Sequence, residues 1–353
     1  MTFRSWLAAL LGLGVLLPSG PPSLRQAANS AGVLIGTAVR PSLFSEAAYS
    51  ETLSREFNLV EPEDVMKWWT LRQSPDAFDF RRGDEVVRFA QAHRMKVRGH
   101  CLVWDHDNPA WLNQGQFTPQ KLSKILQEHI STVMRHYTGE VFAWDVINEA
   151  LDENGRPRDS IWYNSPGIGF SGQGTAYIEQ AFRWAREADP HALLFYNEAE
   201  GEGLNRKSDA IYEMMKDFRK RRVPIDGVGL QMHISRLDFD SQAVAENIAR
   251  LTGLGLQVHI TELDVSLPVI SGQTSPEDLQ RQAEIYRNVV RACLQNRACT
   301  AIQSWGFTDK YSWIGSHSHG SRGAALPFDR TYRTKPAYNA ILDELSRGRD
   351  SRN

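Results

Sequence analysis

Two glutamates stand at the ends of apolar, strand-like runs. Glu149 closes Phe142-Ala143-Trp144-Asp145-Val146-Ile147-Asn148-Glu149, and Glu262 lies within Val258-His259-Ile260-Thr261-Glu262-Leu263-Asp264-Val265. Hydrolysis of a glycosidic bond uses such a pair: one carboxylic acid protonates the leaving oxygen, and a second, ionised one meets the positive charge developing on the sugar carbon. A single glutamate at a strand end more often caps the sheet or pairs with an arginine. Here each is flanked by polar residues that are costly near a core, Asp145 and Asn148 beside one and Thr261 and Asp264 beside the other, and this crowding points to a site. The distance between them along the chain is no obstacle, because the strands of a parallel barrel converge at one face.

The elements that must position them are legible as apolar strand-like runs and as period-3.6 helical patterns. Eight β-like runs, at 33–39, 57–63, 96–104, 142–149, 192–198, 227–234, 257–265 and 301–309, alternate with helix-like segments. Among the latter, Thr118-Pro119 sets a capping residue before a first-turn proline, and Leu122, Ile125, Leu126, Ile130, Val133 and Met134 follow with helical spacing. Others run at about 84–93, 175–188, 205–222, 241–254 and 276–295. Eight strands with intervening helices predict an α/β fold, a single-domain (β/α)8 TIM barrel. The C-terminal strand ends carry Glu63, Asp64 and Lys67; His100, Trp104 and Asp105; Asn148 and Glu149; Asn197 and Glu198; Gln231 and His233; Glu262 and Asp264; and Trp305, with Trp313 in the loop beyond. Aromatic faces and hydrogen-bonding side chains suit a sugar, which offers C–H faces to stack and hydroxyls to bind. Trp68, Trp144 and Trp184 are expected in the core.

Forty basic against 42 acidic residues leave a net charge of −2, with no basic stripe interleaved with aromatics, so nucleic acid is not an expected partner. The basic run at 216–222 reads as the solvated end of a helix, where cations suit the C-terminus. Residues 1–20 join a basic start, an apolar stretch from Trp6 to Leu17 and a small-residue exit, the pattern of a secretory leader. The catalytic domain is then expected at 21–348, followed by a polar tail at 349–353. The product is expected to be secreted, extracellular or periplasmic, with no stable membrane association once the leader is cut; an uncleaved anchor is the alternative. In an oxidising compartment, Cys293 and Cys299, flanking a helix-to-strand turn, are expected to bridge and Cys101 to stay a buried thiol. His317 and His319 lack further ligands at metal-binding spacing, and no metal is expected.

Six motifs, in order, carry a resemblance. They are Glu63-Asp64-Val65-Met66-Lys67-Trp68, Arg98-Gly99-His100-Cys101-Leu102-Val103-Trp104, Trp144-Asp145-Val146-Ile147-Asn148-Glu149, Gly229-Leu230-Gln231-Met232-His233, Ile260-Thr261-Glu262-Leu263-Asp264 and Ser304-Trp305-Gly306-Phe307-Thr308-Asp309-Lys310-Tyr311-Ser312-Trp313. Over residues 24–345 the chain resembles glycoside hydrolase family 10, the retaining endo-1,4-β-xylanases. The resemblance implies Glu149 as acid/base, Glu262 as nucleophile, Asn148 on the sugar 2-hydroxyl and His233 positioning Glu262. It also implies Glu63, Lys67, His100, Trp104, Gln231, Trp305 and Trp313 lining the glycone subsites, and a disulfide matching Cys293 and Cys299.

Two positions depart from the family pattern. Asp64 stands where the family has an asparagine, replacing an amide with an acceptor-only carboxylate, and Asp105 stands where a second histidine usually follows Trp104. Both bear on subsite affinity and on which xylan decoration is accepted. The expected reaction is endo-hydrolysis of β-1,4-xylan by double displacement, with no cofactor, xylan or xylo-oligosaccharide as the partner, and a monomer as the simplest state. A carbohydrate-binding barrel without turnover would be expected to lack one carboxylate; hydrolysis of another β-linked glycan or glycoconjugate keeps both.

Overall fold

A computed structural model describes residues 22–348. The expected leader and the polar tail lie outside the described residues. Eight parallel strands form the barrel: β1 (Leu34–Val39), β2 (Leu59–Pro62), β3 (Lys96–Gly99), β4 (Ala143–Asn148), β5 (Leu193–Glu198), β6 (Gly227–Leu230), β7 (Gln257–Val265) and β8 (Cys299–Ser304). Each pairs with the next, and β8 pairs with β1 from Leu34 opposite Ala301 to Thr37 opposite Ser304, which closes the sheet and removes its edges.

The outer ring consists of α1 (Leu24–Ala31), α2 (Ala47–Glu56), α3 (Arg81–Ala92), α4 (Pro119–His136), α5 (Ala176–Ala188), α6 (Arg206–Lys220), α7 (Ser241–Thr252), α8 (Pro276–Leu294) and α9 (Pro336–Arg347). Local chemistry sets their starts. Thr118 accepts from the Lys121 amide at the head of α4, and Ser275 accepts from the Asp278 amide ahead of Pro276 in α8. The apolar stripe of α4, Leu122 to Met134, is buried against the sheet, as its spacing predicts. Helices α1 and α9 are absent from the pattern reading, and so is α2; α1 begins with a Ser23–Gln26 capping box and packs on α9. Among the described residues no helix is long and apolar enough to cross a membrane.

Three strands stop well before the ends of their apolar runs. β3 stops at Gly99 although the run reaches Trp104, because the chain leaves the ladder to turn His100 and Trp104 towards the top of the barrel. Only Leu102 N–H to Asp145 O and a Val103–Ile147 bridge tie it back to β4. β6 breaks after Leu230 and resumes at His233–Ile234, with Met232 at φ 65 in between. β8 ends at Ser304. In each case hydrophobicity persists past the point where hydrogen bonding stops.

Trp68, Trp144 and Trp184 are core residues. Cys293 and Cys299 are disulfide-bonded between the end of α8 and the start of β8, and Cys101 is a buried thiol. The interior nearer the C-terminal ends of the strands is polar: Glu61, Arg98, Asp145, Asn197, Thr261 and Gln303 are all buried and hydrogen-bonded to one another across strands.

Candidate active site

The C-terminal strand ends open into a cleft of about 470 Å³, within the range of small-molecule sites. All twelve residues expected at the site line it: Glu63, Asp64 and Lys67 after β2; His100 and Trp104 after β3; Asn148 and Glu149 from β4; Gln231 and His233 after β6; Glu262 from β7; and Trp305 and Trp313 after β8. Ala199, Glu200 and His317 complete the lining.

The two glutamates sit in different surroundings. Glu149 turns out of β4 with φ 53, a left-handed conformation that a side chain adopts at some cost and that is over-represented where position matters. Its oxygens accept from two neutral donors, Gln231 Nε2 at 2.9 Å and Trp104 Nε1 at 3.1 Å. Glu262 is buried, accepts from Asn197 Nδ2 at 2.7 Å, and lies 3.1 Å from His233 Nε2. Burial alone would raise the Glu262 carboxyl, but the His233 contact and the Asn197 bond outweigh it and hold its pKa below the ordinary value. His233 is the counterpart. Burial opposes its positive charge, yet Asp264 Oδ2, 3.0 Å from Nδ1, and Glu262 carry its pKa well above that of a free imidazole. Trp313 Nε1 donates to the same Asp264 oxygen at 2.8 Å, so one carboxylate orients both the imidazole and an aromatic wall of the cleft.

Asn148 bridges the two halves. Its Oδ1 accepts from Asn197 Nδ2 at 2.8 Å and Gln231 Nε2 at 3.2 Å, and its Nδ2 has no partner among the described residues and is left to the cleft. Asn197 fits because position 229 is glycine: a Cβ there would lie 2.2 Å from Asn197 Oδ1.

On the far side, Lys67 is buried with Nζ 3.5 Å from both Asp64 and Asp107 and above the faces of Trp104 and Trp305. Burial would lower its pKa, but Asp107 and Asp64 help to raise it, so Lys67 stays a cation. Glu63 is gripped by Arg40, which donates from Nε at 2.7 Å.

Of the two departures from the family pattern, only Asp64 lines the cleft. Asp105 accepts from Asn108 Nδ2 at 2.9 Å and lies behind the cleft wall, lining a small cavity with Trp104, Asn148 and Glu149 and a groove with Leu112, Phe117 and Ile161. It sits outside the cleft because the chain turns through a short helical segment immediately after Trp104. The motif reading passes over Asp107, Asn197, Glu200 and His317. Asn197 is visible as a polar strand end; Asp107 and His317 end helical turns too short to show a period, and Glu200 stands in a loop.

The geometry has the parts of a glycoside-cleaving site, and the sequence comparison decides the family. The model of glycosyl hydrolase family 10 matches residues 23–344. The chain belongs to this family. Endo-1,4-beta-xylanase B of Thermotoga neapolitana is 40% identical over 340 residues, covering 96% of this chain and 95% of that protein. An endo-1,4-beta-xylanase of Agaricus bisporus is 36% identical over 346 residues, with 97% and 99% covered. Among solved structures, xylanase 10B from Thermotoga petrophila RKU-1 in complex with xylobiose superimposes with a TM-score of 0.87 at 40% identity, covering 93% of this chain and 98% of that one. The match spans nearly the whole of these three relatives.

Proposed function

We propose that this family 10 chain is an endo-1,4-β-xylanase that cleaves β-1,4-xylosidic linkages within xylan, with retention of anomeric configuration. The observation that carries the reading is the contrast between two carboxyls facing one cleft, Glu262 beside a histidine cation and Glu149 held by neutral donors. Relatives that bear the xylanase name along their full length support the choice of substrate.

In the first step, a Glu262 oxygen attacks the anomeric carbon while Glu149 gives its proton to the departing glycosidic oxygen; the C–O bond breaks and a glycosyl ester forms. In the second, Glu149 takes a proton from water, the water oxygen attacks the same carbon, and the ester bond to Glu262 breaks. His233 and Asn197 hold Glu262 in line, and Asn148 Nδ2 donates to the sugar 2-hydroxyl. Lys67, Glu63, His100, Gln231 and the indoles of Trp104, Trp305 and Trp313 bind the glycone. All of these groups come from a single chain. The leader-like start and the Cys293–Cys299 bridge support work in an oxidising, extracytoplasmic compartment.

The test is purified protein on xylan, arabinoxylan and cellulose, with products sized and the anomer first released read by proton NMR. Internal cuts in the xylans with β-anomer first are expected. The α-anomer first would reject retention, and preference for cellulose would reject the substrate.

A further inference from the structure

Beneath the cleft, one carboxyl has no part in the mechanism above. Glu61, on β2, is fully buried, as are Arg98 on β3 and Asp145 on β4. One ligand atom from each of Glu61, His100 and Asp145 lies within 4.8 Å of the others. His100 Nδ1 is 3.0 Å from Asp145 Oδ2 and 3.4 Å from Glu61 Oε1. Arg98 is committed to Asp145, donating from both Nε and Nη2, and stands 3.9 Å from Glu61. Glu61 Oε2 accepts from Gln303 Nε2, whereas Oε1 is buried without a hydrogen bond. With Arg98 bonded to Asp145, an ionised Glu61 would leave Oε1 undonated in a dry space beside a second carboxylate, a cost that a proton on Glu61 removes.

We infer that Glu61 is a positioning residue: it keeps a proton on Oε1, donates it towards Asp145, and the pair fixes His100 with Nδ1–H directed inward and Nε2 presented to a sugar hydroxyl. This rests on the xylanase reading of the cleft. The charged and titratable groups around Glu61 agree with it. β1 offers none, β3 brings Arg98 and His100, β4 Asp145, β7 Glu262 and β8 the neutral Gln303. Burial and then Asp145 push the Glu61 carboxyl well above its ordinary value, against Arg98. Burial would raise Asp145 too, but the charge of Arg98 and the hydrogen bond from His100 Nδ1 hold it at about 2, so the proton resides on Glu61.

The test compares Glu61→Gln and Glu61→Leu with wild type on xylo-oligosaccharides, with Tm and ¹⁵N-histidine NMR alongside. Glutamine reproduces the protonated shape and its donor. It should keep kcat/KM within about threefold and leave the acid limb of the pH profile where it was. Leucine should cost about tenfold or more, chiefly in KM, with the His100 signals averaging between tautomers. An acid limb displaced by about half a pH unit in Glu61→Gln would show that Glu61 carries a charge felt by Glu262, and overturns the inference. Wild-type KM and tautomer in Glu61→Leu overturn it as well. If Glu61→Leu does not fold, the Glu61→Gln profile decides. If the wild-type chain is inactive on xylan, the functional reading fails, and the His100 spectra of wild type and Glu61→Gln still decide the inference.

Discussion

At the scale of the residue, the site works by giving like groups unlike neighbours. Glu262→Ala should abolish turnover with the circular dichroism spectrum unchanged, and added azide should restore cleavage of an aryl xylobioside and yield the α-glycosyl azide; wild-type-like activity in this variant would remove Glu262 from the mechanism. The His233–Glu262 pair also sets a pH window. The Glu262 pKa is lowered on folding, so its contribution to stability is present above the ordinary value of about 4.3 and is lost as pH falls through the folded one. The His233 pKa is raised, so its contribution is present below about 6.5 and is lost as pH rises through its folded value. The Tm difference between wild type and His233→Asn should therefore be largest between about pH 4.5 and 6.5, narrowing on both sides; a difference that does not vary with pH would deny the ion pair. Asp64 draws on the same logic. It is half exposed, pairs with Lys67 and offers a sugar hydroxyl an acceptor only. Asp64→Asn should raise kcat/KM on oligosaccharides that fill the distal glycone subsite by roughly threefold to tenfold, about 1 kcal/mol, with little change for an aryl xyloside. No gain on the longer substrate would mean that Asp64 already serves it well.

At the scale of the element, the strands place these groups through close approaches that side-chain types alone do not announce. Gly229 on β6 leaves the space that Asn197 on β5 occupies, and Asn197 in turn joins Asn148 to Glu262. Gly229→Ala puts a methyl 2.2 Å from Asn197 Oδ1 and 2.9 Å from Thr261 Cγ2, so the amide must move. A displacement of about 1 Å at a reacting carboxylate costs on the order of a hundredfold in rate. The expected result is a fall of that order in kcat, with the circular dichroism spectrum unchanged. Activity equal to wild type would show that the barrel relaxes around the methyl without disturbing Glu262.

At the scale of the molecule, stability and chemistry occupy opposite ends of the barrel. The Cys293–Cys299 bridge lies at the N-terminal end of β8, and the cleft at the C-terminal ends of the strands. Closing so short a loop is worth about 2 kcal/mol by chain entropy. Cys293→Ser with Cys299→Ser should lower Tm by several degrees while leaving kcat/KM on xylan unchanged at 25 °C. A loss of activity without a loss of Tm would break this division.

Eight apolar runs alternating with helical stripes were enough to specify the barrel, because the length of an apolar run and a period of 3.6 are properties of the chain itself. Glu149 and Glu262 stood out for a related reason, since charge beside an apolar strand is costly and seldom idle. Where β3, β6 and β8 stop was not legible, because hydrogen bonding ends there while hydrophobicity runs on. Asp64 and Asp105 look alike as carboxylates replacing neutral or basic side chains, yet one lines the cleft and the other lies behind its wall, and only the course of the loop after Trp104 separates them. The roles of Glu61, Asn197 and Asp107 belong to the same class. Each takes its meaning from groups on other strands and loops, and a pattern along one segment carries no record of what the closed barrel sets opposite it.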